Sequence, residues 1–442
     1  MSAPADHSPT QLRRAVTSSY LGSVIEYYDF LLYATASAAV FGTVFFPNVD
    51  PATGVIASFG TLVAGYIARP LGAAIFGHYG DRIGRKRTLV VTMTVMGVVS
   101  VLIGLLPSYA TIGVWAPILL VVLRILQGIA IGGEWGGAVL ISAEHATSRR
   151  GLWASFTLSG APSGMVLSTL ALSVVGAIAG KEGLIAWGWR IPFLLSAVLL
   201  VIGLFVRSRV EETPVFRDES RRATMPLVEV LRTQPRALLL SVGVGLGAFV
   251  AQGTLTVFVI AYAVRAGFPQ PTVLNALTIS SVVAAVGILA FSALSDRIGR
   301  RPVVVAGAIA MGLWAFAIFP LIDSKSFLLL LVAVVVGQGI IHTAMYGPMA
   351  ALYSELFPTH VRYTGASLGY QLAGIGAGLA PLVFAAIGAA TGSSLVVSLV
   401  IAACCLLTVG CVQLLGETGT SALSDDSPTL AAGAHQRPEG AR

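Results

Sequence analysis

The segment GDRIGRK at Gly80–Lys86 returns as SDRIGRRP at Ser295–Pro302, and its aspartate, Asp296, stands 215 residues beyond Asp81 in a chain of 442. Each copy sits between the end of one apolar run and the start of the next. A second pair keeps nearly the same offset. Glu144 followed by Arg150 reappears as Glu355 followed by Arg362, at separations of 211 and 212 residues. A repeat of half the chain length predicts two similar halves joined in the middle.

The runs between these motifs decide the solvent. Hydrophobic residues make up 56% of the chain, charged residues 11%, and the mean hydropathy is +0.85. A hydrocarbon core about 30 Å thick takes about 20 apolar residues per helix. Twelve such runs are present, near 17–42, 54–79, 88–107, 114–145, 151–178, 188–208, 236–264, 272–294, 302–322, 327–356, 364–389 and 394–416. The expected fold class is therefore an all-α integral membrane protein with twelve transmembrane helices in two pseudo-symmetric six-helix bundles. The bundles would span 17–208 and 236–416, with tails at 1–16 and 417–442. A polar linker at 209–235 joins them, with room for a short amphipathic helix on the membrane surface.

A net charge of +7 invites a nucleic-acid reading, but its distribution argues against one. If residues 1–16 lie in the cytoplasm, 21 of the 27 Lys and Arg fall on that side. Lys181, Arg190, Arg265 and Lys325 fall outside, and Arg69 and Arg124 fall within spans. This asymmetry orients the chain with both termini in the cytoplasm, in the cell (inner or plasma) membrane. Cys404, Cys405 and Cys411 share the last run and read as small packing residues. The polar start runs straight into a full-length first span, so no cleavable signal is expected.

Charges inside the spans need a partner or a task, because each costs about 3 kcal/mol or more at mid-bilayer. Glu26 and Asp29, three residues apart, share a helix face. Asp29 lies about 16 Å along its helix from Ser18, and Arg69 about 18 Å from Asp81. Arg124 and Glu134 are on the fourth span. The expected pairs are Asp29 with Arg124 and Glu134 with Arg69, with Asp29, Glu26, Arg124 and Glu134 as the proton-coupling set. A carboxylate that alternates between an arginine and a proton makes a coupling switch; static ion pairs that specify packing are the other reading. Arg69 and Arg124, with Tyr33 and Gln127, are candidates for substrate binding. So are Gln252, Gln338, His342, Tyr370 and Gln371 in the second half. Asn275 and Tyr346 belong to the same polar group, and any of these residues can instead join helices by hydrogen bonds. A cytoplasmic gate is expected from Gly77, Asp81, Arg82, Arg85, Glu144 and Arg150, with Asp296, Arg297, Arg300, Glu355 and Arg362 as its second-half counterpart.

The longer segment GHYGDRIGRKRT at Gly77–Thr88 resembles the signature loop of the major facilitator superfamily. Further residues are similar to its metabolite:proton symporters. These are EYYDF at Glu26–Phe30, RPLG at Arg69–Gly72, RILQG at Arg124–Gly128, GGEW at Gly132–Trp135, GWRIPF at Gly188–Phe193 and EETP at Glu211–Pro214. The match is dense from Gly22 to Phe216 and patchier beyond. Tyr27 departs from it, since many relatives carry Trp there. The resemblance implies the same pairing of Asp29 with Arg124 that related symporters match. It also implies a substrate site at the midplane between the halves, worked by alternating access.

The expected function is proton-coupled uptake of a small carboxylate-bearing or zwitterionic metabolite. The first half looks most similar to shikimate-type carriers, with dicarboxylate, ketoglutarate, citrate and proline or betaine carriers open. The 417–442 tail has no heptads, unlike the coiled-coil tail of osmosensing members. Protons serve as the coupling ion and no cofactor is expected. The expected partners are the metabolite, the proton and the lipid bilayer, without nucleic acid, and the carrier is taken to act as a monomer. The alternative is an exporting antiporter, which GAPSG at Gly160–Gly164 faintly resembles. No nucleophile–base spacing, phosphate loop or metal cluster points to an enzyme.

Overall fold

A computed structural model describes residues 9–83, 85–146, 148–208 and 226–418. Among the described residues, twelve helices are long and apolar enough to cross a membrane. They are α1 Val16–Phe45, α2 Pro51–Tyr79, α3 Arg87–Leu105, α4 Trp115–Leu140, α5 Arg150–Gly188 and α6 Arg190–Arg207 in the first half. The second half has α7 Pro235–Arg265, α8 Gln270–Ile298, α9 Arg300–Asp323, α10 Phe327–Leu356, α11 Arg362–Thr391 and α12 Leu395–Leu415. In lipid, a helix satisfies its own backbone groups, which is why these runs fold this way. Side chains such as Ile178, Val201, Leu313 and Leu406 remain exposed, as an apolar solvent requires.

Packing repeats with the sequence. In the first half α1 packs on α5, α2 on α4 and α3 on α6; in the second, α7 packs on α11, α8 on α10 and α9 on α12. Two seams join the halves, α2 with α11 and α5 with α8. Adding six to one helix number and subtracting six from the other converts either seam into its twin. With an even number of crossings, the first and last spans open on one face, called here the terminal face.

The α2–α4 contact depends on missing side chains. Gly128 and Gly132 of α4 lie against the carbonyls of Gly65 and Arg69, where a β-carbon would collide with backbone. This is the small-xxx-small spacing that lets membrane helices touch. Departures from the α-helix also repeat. A π-helical turn occupies Ser37–Phe41 in α1 and another Thr254–Phe258 in α7, 217 residues apart; Leu184–Gly188 in α5 and Val335–His342 in α10 are two more. Such turns break the regular ladder and often mark places where a helix bends in function. From the linker, a helix at Pro226–Thr233 precedes α7, and its Glu229 lies 3.0 Å from His360 between α10 and α11.

Candidate functional site

Glu26, Asp29, Arg69, Arg124 and Glu134 are all buried in the first half. Their pairing differs from the expectation. Asp29 accepts a hydrogen bond from the Ser196 hydroxyl of α6, with Ser100 of α3 as a second hydroxyl partner. Arg124 donates from Nη1 to Gln127 Oε1 at 2.6 Å, and Gln127 Nε2 donates to Ser100 Oγ at 2.8 Å. Among the described residues Asp29 and Arg124 form no ion pair; Gln127 and Ser100 stand between them. The reason is azimuth. Successive residues on a helix turn by about 100°, so Asp29 faces α3 and α6 while its neighbour Phe30 faces α4, where Tyr33, one turn further along, also reaches. The Arg124 guanidinium lies 3.8 Å and 4.2 Å from those two ring centres, which stabilises a buried cation without an anion.

The second expected pair is also replaced. Glu134 is bonded to Arg207, at the end of α6, not to Arg69. Arg207 turns inward over Gly22, where a β-carbon would press on its guanidinium. Arg69 lies 5.1 Å from the ring centres of both Phe30 and Tyr66. Glu26 feels both Arg69 and Arg207. Nε and Nη2 of Arg69 and of Arg124 carry no hydrogen bond. In the sequence Arg207 reads as one more orienting charge at the end of a span, and nothing there singles out Ser100 or Ser196. Gly22, opposite Arg207, was the one local signal available.

A narrow cavity lies at the seam between the halves. Its second-half wall carries the polar groups, Gln252, Thr256, Gln338, His342 and Tyr346, beside Ala284 and Ile288; its first-half wall is apolar, from Leu31, Ala161, Pro162 and Met165. Three substrate-binding candidates therefore line it: Gln252, Gln338 and His342. Arg69, Arg124, Tyr33, Gln127, Tyr370 and Gln371 do not. Arg69, Arg124, Tyr33 and Gln127 are turned into the first bundle, where the Tyr33 hydroxyl donates to Thr61 at 2.6 Å. Gln371 donates to the Gly132 carbonyl at 3.3 Å across the seam. Asn275 is exposed near the far end of α8. Gln338 accepts from Ser280 and donates to Ser281, so it also ties α10 to α8. His342 donates from Nε2 to the Ala248 carbonyl at 3.1 Å and stacks on Tyr346.

The terminal face is closed by a network centred on Asp296. Its carboxylate accepts the backbone N–H groups of Gly151 and Leu152, each at 2.9 Å, at the start of α5. A carboxylate there complements the positive end of the helix dipole. Arg300 donates to Asp296 at 2.7 Å and to Glu355 at 3.3 Å. Thr418 donates to the other Glu355 oxygen at 2.7 Å, and Glu417 accepts the backbone N–H groups of Arg300 and Arg301 at 2.8 and 3.1 Å. Arg362 donates to the Phe357 carbonyl at 3.1 Å. Of the other expected gate residues, Gly77 packs against Thr364 of α11, Arg150 begins α5 and Arg297 is exposed. The side chains of Asp81, Arg82, Arg85 and Glu144 lie outside the described residues.

The sequence matches the family model described as Major Facilitator Superfamily over residues 21–381 and 270–429. It is 38% identical over 388 residues to the shikimate transporter of Escherichia coli (strain K12), covering 86% of this chain and 89% of that one. To the proline/betaine transporter of Salmonella typhimurium (strain LT2) it is 34% identical, covering 84% and 77%. The fold is similar to a partially occluded, inward-open xylose transporter from E. coli, with a TM-score of 0.72 at 20% identity, covering 94% of this chain and all of that one.

Proposed function

The chain belongs to the major facilitator superfamily and is a membrane transporter of a small molecule; from that premise we propose that it is a proton-coupled symporter taking a small carboxylate-bearing or zwitterionic metabolite into the cell. One observation carries the reading. Asp29 is held by neutral hydroxyls, while the donors of Arg124 face no anion. Ser196 and Ser100 serve a carboxylate or a carboxylic acid equally, since a hydroxyl both donates and accepts. A proton on Asp29 leaves Arg124 as the uncompensated cation, and a substrate carboxylate is the anion that answers it.

The route to that anion passes α1. Leu31 lines the cavity and the adjacent Phe30 carries both guanidinium groups, so one residue of α1 separates cavity from cations. The π-helical turn at Ser37–Phe41 supplies a place for α1 to rotate. The names of the shikimate and proline/betaine relatives favour organic acids or zwitterions in the same direction. The basic terminal face is the cytoplasmic one. Protons are the coupling ion, and the carrier acts as a monomer without a cofactor.

The test is uptake into proteoliposomes under an imposed inward proton gradient, with radiolabelled shikimate, ketoglutarate, citrate and proline in parallel. Accumulation of one compound, abolished by a protonophore, is the expected result. No uptake of any, with efflux of hydrophobic compounds driven by the gradient, would replace symport by export.

A further inference from the structure

The cavity floor, toward the terminal face, is a row of phenols. Tyr346 of α10 lines the cavity, and its hydroxyl is bonded to that of Tyr370 on α11. The Tyr370 hydroxyl is in turn 3.1 Å from that of Tyr27 on α1. Tyr370 also lies flat on Trp135 of α4, with ring centres 3.7 Å apart and planes 10° from parallel. All four side chains are buried. We propose that Tyr370 is the inner gate beneath the cavity, held shut from the opposite half by Tyr27 and Trp135. The proposal rests on the alternating access that the family resemblance implies for a transporter of this kind, and on neither the proton nor the carboxylate.

These contacts divide between the halves. Tyr346 and Tyr370 both belong to the second half, so their bond travels with that half. Tyr27 and Trp135 belong to the first. Parting the halves at the terminal face must move α11 away from α1 and α4. The Tyr27–Tyr370 bond and the Trp135 stack then break together, and the Tyr346–Tyr370 bond survives. Three phenols in a row hold three hydrogens and need two for their mutual bonds, so the row loses one bond on opening and keeps the other. On the same seam, Tyr363 of α11 donates to the Gly133 carbonyl of α4 at 2.5 Å and Gln371 to that of Gly132. The phenol row is thus one of several contacts on that seam, and the one that reaches the cavity, through Tyr346.

The test uses a cysteine in the cavity wall, Ala161→Cys, with Cys404, Cys405 and Cys411 replaced by alanine. A membrane-impermeant maleimide is applied from the terminal face in inside-out vesicles, without substrate, and the labelling rate is followed. Tyr27→Phe and Tyr370→Phe should each raise the rate by roughly three- to tenfold, the population change that one lost hydrogen bond brings. Trp135→Ala should raise it at least as much. Tyr346→Phe, which leaves the inter-half contacts in place, should change it less than twofold. Equal effects from all three phenylalanine variants, or none from Tyr27→Phe and Tyr370→Phe, overturn the gate. If Tyr370→Phe fails to fold, Tyr27→Phe breaks the same bond from the other side. The uptake assay reads coupling and substrate separately, so either idea can fail without the other.

Discussion

Removing the Arg207 side chain tests how the first half is held together. Arg207 and Glu134 are 4% and 1% exposed and bonded to each other. Arg207→Ala leaves Glu134 without that partner. Breaking a buried ion pair from one side costs about 3–5 kcal/mol, whereas replacing both ions by neutral groups of similar size is close to neutral. At about 2 °C per kcal/mol, Arg207→Ala should lower the melting temperature of the detergent-solubilised protein by about 6 °C or more. Arg207→Met combined with Glu134→Gln should return most of it. Gly22→Ala supplies an independent arm. Its β-carbon would sit 2.9 Å from the Arg207 Cζ, so the guanidinium must leave Glu134. That change should destabilise the native protein yet add under about 0.5 kcal/mol in the Arg207→Ala background, since both act through one interaction. The readout is a fluorescence melt of the four variants. A shift below about 1 °C for Arg207→Ala, or full additivity with Gly22→Ala, would mean that Arg207 does not hold Glu134 in place.

Further outcomes follow from other contacts. Asp29→Asn should leave substrate exchange intact and abolish pH-driven accumulation in proteoliposomes; loss of both would remove the coupling role. Asp296→Ala strips two N–H partners from the start of α5 and should cost about 0.5–2 kcal/mol of closure at the terminal face, read as a longer distance between spin labels at the ends of α5 and α8. Asp50, outside the spans, accepts the Thr53 hydroxyl and the N–H groups of Thr53 and Ala52, and these bonds, the hydroxyl first, hold its carboxyl below the usual range. A lowered folded-state value stabilises above about pH 4 and is lost as pH falls through that value. Asp50→Ala should therefore lower the melting temperature at pH 7 and make progressively less difference as the pH falls below about 4.

Helix positions were readable because lipid imposes them. The expected run 236–264 is observed as Pro235–Arg265, and 327–356 as Phe327–Leu356. Partners were not, because depth along a helix is legible and azimuth is not. Asp29 and Arg124 are both buried in one bundle, yet a turn of about 100° sends one toward α3 and the other onto Phe30. Arg207 was hidden by its address: an arginine at a span end reads as an orienting charge until a glycine on another helix makes room for it. Tyr27 was visible as a departure from relatives that carry Trp, but its hydroxyl bond to Tyr370 depends on how α1 and α11 meet. That meeting is set by the seam, which no local pattern describes.

The Glu417 contact gives the second half an order of assembly. When Asp296 is made, its partners Gly151 and Leu152 already exist, 145 and 144 residues upstream. The first N–H groups of α9 are less fortunate, since the carboxylate that accepts them lies 117 residues downstream of Arg300. During synthesis those amides must wait in the headgroup region through three more helices, satisfied by water alone. A chain halted anywhere before Glu417 thus carries an open helix start where the finished protein has a closed one.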